Sequence, residues 1–206
     1  MLTKKGDFIE LEFTARSNEG VFDTTDSELA KKLGYSKEVK PLKLIIGEGM
    51  VIKGLDAELE GKEIGKEYSV EIEPGLGFGE RKQELIKIVP LAGFERKPRE
   101  GEILLIEGVI ARVAKIESGR VTLDFNHPLA GKRLHYKFKI TKLITDEVEK
   151  VKAILDYFGL GYDVIAEGGE IKIKGKPNRL VEELIKKYIK VKVSFNYGAD
   201  SSSNKG

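Results

Sequence analysis

The chain has 206 residues, enough for one large domain or two to three small ones. Its 36 Lys and Arg nearly balance 34 Asp and Glu, so no one-sided field argues for nucleic acid, and the lack of cysteine excludes disulfides and thiolate catalysis. Two histidines, His127 and His135, are too few for an all-histidine metal cage, and no apolar run nears the roughly 20 residues of a membrane span; we expect no metal, no cofactor and no membrane, and a cytoplasmic protein.

Residues 8–14 alternate, with Ile9, Leu11 and Phe13 on one side and Glu10, Glu12 and Thr14 on the other, the pattern of a half-buried strand. Asn18-Glu19-Gly20 turns the chain into a second extended piece, Val21-Phe22-Asp23. Residues 26–34 predict a short helix capped by Asp26 and stopped by Gly34. Leu42, Leu44 and Ile46 alternate, and a stubby helix follows between Gly49 and Gly61 with Ile52, Leu55 and Leu59 on one face. One short helix amid strand-like sequence suits a curved sheet that needs its concave side covered. Tyr68, Val70 and Ile72 alternate again up to Pro74-Gly75.

From Gln83 to Asn126 the chain predicts a small β-rich unit, with strands at 103–106, 109–116 and 121–126 joined by tight turns. Leu134 to Ile144 returns to a strand that closes the first sheet, which makes the β unit an insertion in a loop. After Thr145 the period becomes helical through Val148, Val151, Ile154, Leu155 and Phe158, with Asp146 and Glu149 spaced as a capping box. A hairpin around Gly168-Gly169, a helix starting near Pro177 or Asn178, and an alternating strand Val191, Val193, Phe195, Tyr197 complete an α-β-β-α-β unit. The strand's apolar side, at or near a sheet edge, offers a surface for a homodimer. The tail 198–206 is polar and reads as disordered.

Six short motifs occur in order over residues 6–80 and 127–144: Glu12-Phe13-Thr14-Ala15, Val21-Phe22-Asp23-Thr24, Pro41 to Gly47, Val51-Ile52-Lys53-Gly54-Leu55, Pro74 to Glu80 with Phe78, and Leu134-His135-Tyr136-Lys137-Phe138. Together they resemble the FKBP-type peptidyl-prolyl isomerases. Leu85 to Pro90 and the string Phe125-Asn126-His127-Pro128-Leu129-Ala130-Gly131 resemble the bracket of the SlyD-like branch, where a small β domain replaces the flap over the proline pocket and receives unfolded chains. With the C-terminal unit added, the chain resembles long archaeal FKBP chaperones. The implied fold is α+β: an FKBP half-barrel, an antiparallel sheet wrapped on one short helix, with an inserted small β domain and a C-terminal α/β domain. The implied boundaries are 1–84 plus 128–145, 85–127 and 146–197.

The resemblance implies a peptidyl-prolyl cis-trans isomerase and folding chaperone acting on unfolded or proline-containing polypeptides. It assigns Asp23, Ile52, Phe78 and Tyr136 to catalysis and Phe13, Phe22, Leu42, Val51 and Leu55 to substrate binding. The Ile52 N–H would bind a substrate carbonyl and Asp23 would polarise the twisting amide. Alternation alone reads Leu42, Leu44 and Leu59 as core, Asp23 equally as the cap of its turn, and His127 as a loop-fixing residue. The sequence departs from the family pattern at Phe13 and Phe78, which stand where tyrosines are usual, and at Leu55 in place of the floor indole. Loss of two pocket hydroxyls leaves a second reading open, a holdase with a degenerate pocket that isomerises little.

Overall fold

A computed structural model of the chain describes residues 1–175 and 178–196; Tyr197 and the expected tail lie outside them. In chain order the elements are β1 (Phe8–Ser17), β2 (Gly20–Thr24), α1 (Ser27–Lys32), β3 (Leu42–Ile45), α2 (Lys53–Glu58), β4 (Glu67–Ile72), β5 (Ile86–Pro90), β6 (Ile103–Ile106), β7 (Val109–Glu117), β8 (Arg120–Asp124), β9 (Leu134–Ile144), α3 (Glu147–Tyr157), β10 (Asp163–Glu167), β11 (Glu170–Lys174), α4 (Arg179–Tyr188) and β12 (Lys192–Asn196). They form an α+β fold of mostly antiparallel sheets. The chain divides into two compact units, Met1–Glu71 with His135 onward, and Ile72–Leu134.

In the first unit β1 is long enough to serve two partners along one edge. β3 pairs with Phe8–Leu11 and β2 with Thr14–Ser17, while β9 runs along the opposite edge and pairs in turn with β4. Ile9, Leu11 and Ala15 are buried on one face, as are Ile140 opposite Leu11 and Phe138 opposite Phe13 on β9. The short helix α2 buries Leu55 and, at its C-cap, Leu59, while Ile52, expected on the same stripe, is its half-buried N-cap. Each fully buried leucine contributes about 1.5–3 kcal/mol. Gly61 follows with φ +73°, the left-handed stop that the spacing predicts.

The other face of β1 is apolar where it begins. Phe8 and its partner Ile144 are buried, and the edge of the Tyr188 ring meets Phe8 at 5.6 Å between centroids. The C-terminal elements supply this cover: α3 packs on β3, on α4 and on β10. Val151, Ile154 and Leu155 of α3, Val181 and Ile185 of α4, and Ile171 and Ile173 of β11 form their core. The hairpin β10–β11 is antiparallel, and β12 joins β11 in parallel at the sheet edge. Asp26, Asp146 and Asn178 cap their helices through backbone N–H groups. The expected capping box at Asp146 is only half formed, because the Glu149 carboxylate accepts from Lys142 Nζ at 2.7 and 2.8 Å.

The second unit is a four-stranded sheet in the order β5-β8-β7-β6. Three strands were expected between 101 and 126; Ile86–Pro90 adds the fourth by pairing with β8. Ala111, Val113, Val121 and Leu123 form the core on one face, with Val89, Leu104 and Ile106 packed against them. At the base of the insertion Asn126 clasps Lys82: its Oδ1 accepts the Lys82 N–H at 2.8 Å and its Nδ2 donates to the Lys82 carbonyl at 3.0 Å. Among the described residues no helix is long and apolar enough to cross a membrane.

Candidate functional site

Strand register builds the site. Ala15 is the cross-strand partner of both Asp23 on β2 and Tyr136 on β9, so the three side chains form one row on one face of the sheet. Phe13 lies two residues away on the same face, opposite Phe138. In a regular strand Phe22 would point away from Asp23. The β1–β2 register instead shifts between Ala15 and Arg16, a bulge that leaves Phe22 as the extra residue and re-aims its ring. The Phe13 and Phe22 rings consequently stand 5.9 and 6.1 Å from the Tyr136 ring, the latter edge-on at 79°.

The electrostatics follow from this packing. Tyr136 is 6% exposed, and burial, with a smaller contribution from the negative field of Asp23, pushes its phenol up to about 12. It therefore stays protonated at neutral pH. Crowding around Asp23 raises its carboxyl above the ordinary value, partly offset by the Thr24 N–H, which donates to Asp23 Oδ1 at 2.8 Å. That bond gives the turn-cap reading of Asp23 a geometric basis without consuming both oxygens. Ala15, absent from the expected set, is the residue whose small side chain lets Asp23 and Tyr136 share the row.

The remaining predicted residues fall in three places. Leu42 sits opposite Leu11 on β3, on the face of the aromatic cluster, and is half-buried. Val51 and Ile52 are half-buried in the lead-in to α2, with Ile52 as its first flanking residue at φ −57°, ψ 146°. The Ile52 N–H meets no acceptor among the described residues, as the first amides of a helix commonly do not. Leu55, 1% exposed, lies in the core. Phe78 belongs to the second unit, where it stacks on His127 at 4.4 Å and 3°. His127 in turn accepts the Leu129 N–H at Nδ1, 3.1 Å, the loop-fixing role its sequence suggests.

Two clefts of the first unit, of about 410 and 580 Å³, reach Phe13 and Tyr136 respectively, but they are also lined by Glu12, Thr14, Arg16 and Lys137. These residues alternate with the site residues on β1 and β9 and make a polar wall, unsuited to an amide that reacts by leaving water. Among the described residues no cluster of three or more His, Asp or Glu has the placement to hold a metal ion.

An antiparallel sheet on a stubby helix thus carries two phenylalanine rings against a buried phenol, with a carboxylate in the same row. The chain belongs to the FKBP-type peptidyl-prolyl cis-trans isomerase family, which matches residues 2–95, and residues 87–129 match the FKBP26 IF domain, the inserted domain of the SlyD-like arrangement. The chain is 36% identical over 154 residues to the short-type peptidyl-prolyl cis-trans isomerase of Methanocaldococcus jannaschii, covering 72% of this chain and 98% of that relative. It is 30% identical to a probable FKBP-type 16 kDa isomerase of Pseudomonas fluorescens over 64% of this chain and 85% of the relative. It is also 26% identical to the isomerase SlyD of Haemophilus influenzae, over 73% and 77% respectively. The enzyme class is thus peptidyl-prolyl isomerase.

Proposed function

We propose that the chain is a folding isomerase that twists X-Pro amides in the Phe13–Phe22–Tyr136 pocket and uses its inserted β domain to hold unfolded chains. The uncatalysed barrier of ~18–20 kcal/mol reflects the partial double bond of the amide. An apolar pocket disfavours the charge-separated resonance form, and a twisted amide fits it better than a planar one. Each tenfold in rate requires only about 1.36 kcal/mol of such preference. Ile52 donates its N–H to a substrate carbonyl, Asp23 polarises the twisting amide, and Val51, Leu42 and Leu55 shape the floor. Phe78 joins the set on its Pro74–Glu80 motif. The observation that carries this reading is the row Asp23–Ala15–Tyr136 with two phenylalanine rings turned onto the phenol.

Support for the holding role comes from the exposed face of the inserted sheet. Ile110 pairs with Leu105, Ile103 with Arg112, Arg112 with Asp124, and Ile88 with Thr122, which places all of these on one face. Ile103 is 58%, Leu105 71% and Ile110 66% exposed, grouped on the neighbouring strands β6 and β7, while Ile88, 62% exposed, lies on β5 at the opposite edge beyond Arg112, Asp124 and Thr122. The same surface favours the second reading, a holdase that isomerises little. The three separate sheets also support a division into 1–84 with 128–145, 85–127, and 146–197. Turnover of a short prolyl peptide, measured beside acceleration of a proline-limited refolding reaction, separates the readings. We expect both activities; protection of unfolded chains without peptide turnover would leave the holdase.

A further inference from the structure

The segment that carries Val51 and Ile52 is held from two sides, and one side is the C-terminal part of the chain. From within the half-barrel, the Asp56 carboxylate accepts the Gly47 and Gly49 N–H groups at 2.8 and 3.0 Å, and Met50 Sδ accepts the Ile45 N–H at 3.2 Å. Gly47 has φ +84°, and a Cβ there would fall 2.7 Å from the Lys5 side chain, so this backbone is already closely covered. From the C-terminal helices, Tyr157 at the end of α3 donates its hydroxyl to the Met50 carbonyl at 2.7 Å. At the end of α4, Tyr188 Oη and Lys187 Nζ both donate to Glu48 Oε1, at 2.6 and 2.7 Å. The Tyr188 ring is itself fixed edge-on against Phe8. Two of the three residues immediately before Val51 are therefore anchored by groups more than 100 positions away in the chain.

We infer that Tyr157 and Tyr188 are positioning residues for isomerisation: the C-terminal helices hold Glu48–Met50 so that Ile52 presents its N–H to the substrate carbonyl. The inference rests on the proposed role of the Ile52 amide. A hydrogen bond to the Met50 carbonyl fixes the peptide plane two residues before that amide, and the Glu48 tie fixes the direction from which the segment enters. Loss of either would leave the fold standing, because the sheet core lies elsewhere, but would spread the Ile52 amide over several orientations. A binding group that must be held to a fraction of an ångström loses rate when it is spread.

The test uses the full chain and a short prolyl peptide. Tyr157→Phe removes one hydroxyl and keeps the ring. It is expected to lower kcat/KM about fivefold at a temperature where the variant is fully folded, and to shift the Ile52 amide resonance with faster exchange of the 48–52 amides. Ile173→Val, which weakens the C-terminal core away from this segment, should leave both turnover and those amides unchanged. Ile52→Pro separates the two layers, since φ −57° already suits proline and the change deletes the N–H. Loss of activity in Ile52→Pro with full activity and unchanged resonances in Tyr157→Phe overturns the positioning role alone. Full activity in Ile52→Pro overturns the reading of the amide and the positioning role with it. Equal losses in Tyr157→Phe and Ile173→Val would show a general effect of stability and equally overturn the inference.

Discussion

Asp23 and Glu48 are two carboxylates whose surroundings push them in opposite directions. Partial desolvation of Asp23, whose side chain still reaches solvent, raises its carboxyl above its ordinary 3.8, so the folded chain binds that proton more tightly than the unfolded chain. Stability linked to Asp23 is greatest below pH 3.8 and falls as pH rises through the folded pKa, which means the ionised group opposes folding at pH 7. Asp23→Asn is therefore expected to leave the melting temperature at pH 7 unchanged or slightly higher, while lowering prolyl-peptide turnover about tenfold. Wild-type turnover in this variant would remove Asp23 from the chemistry. For Glu48, burial also opposes the charge, but the Lys187 ammonium and Tyr188 hydroxyl outweigh it and hold the carboxyl below 4.5. Its contribution is present above pH 4.5 and lost as pH falls through the folded value, so the stability gap between wild type and Glu48→Gln should close in acid below pH 4.5. Thermal melts of both proteins from pH 7 to 3 check the sign.

At the scale of elements, much was legible because alternation and caps are local. Strand β1, the floor helix with its Gly61 stop, the hairpin of β10 and β11, the cap Asp26 and the start of α4 at Asn178 all stand where residue spacing predicts them. The rest depended on partners distant in the chain. The bulge that turns Phe22 onto Tyr136 arises from the pairing of β2 with β1 and has no mark within Val21-Phe22-Asp23. Phe8 reads as a polar-side position in the alternation, and its burial depends on Tyr188, 180 residues later in the chain. Asp146 and Glu149 have the spacing of a capping box, but Lys142 on the neighbouring strand competes for the carboxylate. The clasp at Asn126 is likewise invisible in sequence. Because it bonds both backbone groups of Lys82, Asn126→Ala should destabilise the second unit by about 1–3 kcal/mol and speed amide exchange at Lys82. Unchanged exchange there would show that the clasp adds nothing to the sheet it closes.

The C-terminal elements bear on the whole molecule in two ways. Removing them at residue 145 would uncover Phe8 and Ile144, so the dimer proposal is better examined in the full chain. β12 is an edge strand, and Val191, exposed just before it, precedes Val193 and Phe195. We expect the chain to sediment as a dimer and Val191→Lys to shift it toward monomer; a monomeric wild type removes the proposal.

The central claim, that the pocket does the chemistry and the insertion delivers the client, assigns different losses to different substrates. On the proposed reading the insertion is covalently continuous with the isomerase portion at both ends, so a client held on Ile103, Leu105 and Ile110 would stay at raised effective concentration. The most direct measurement replaces residues 86–124 by a short turn, keeping the Asn126 clasp on Lys82 and the His127 stack on Phe78, and compares turnover of a prolyl tetrapeptide with acceleration of proline-limited refolding. The account predicts that tetrapeptide turnover is preserved within about twofold while refolding acceleration falls by about tenfold or more. Equal loss on both substrates would contradict it, because the insertion would then be required to build the pocket rather than to supply it.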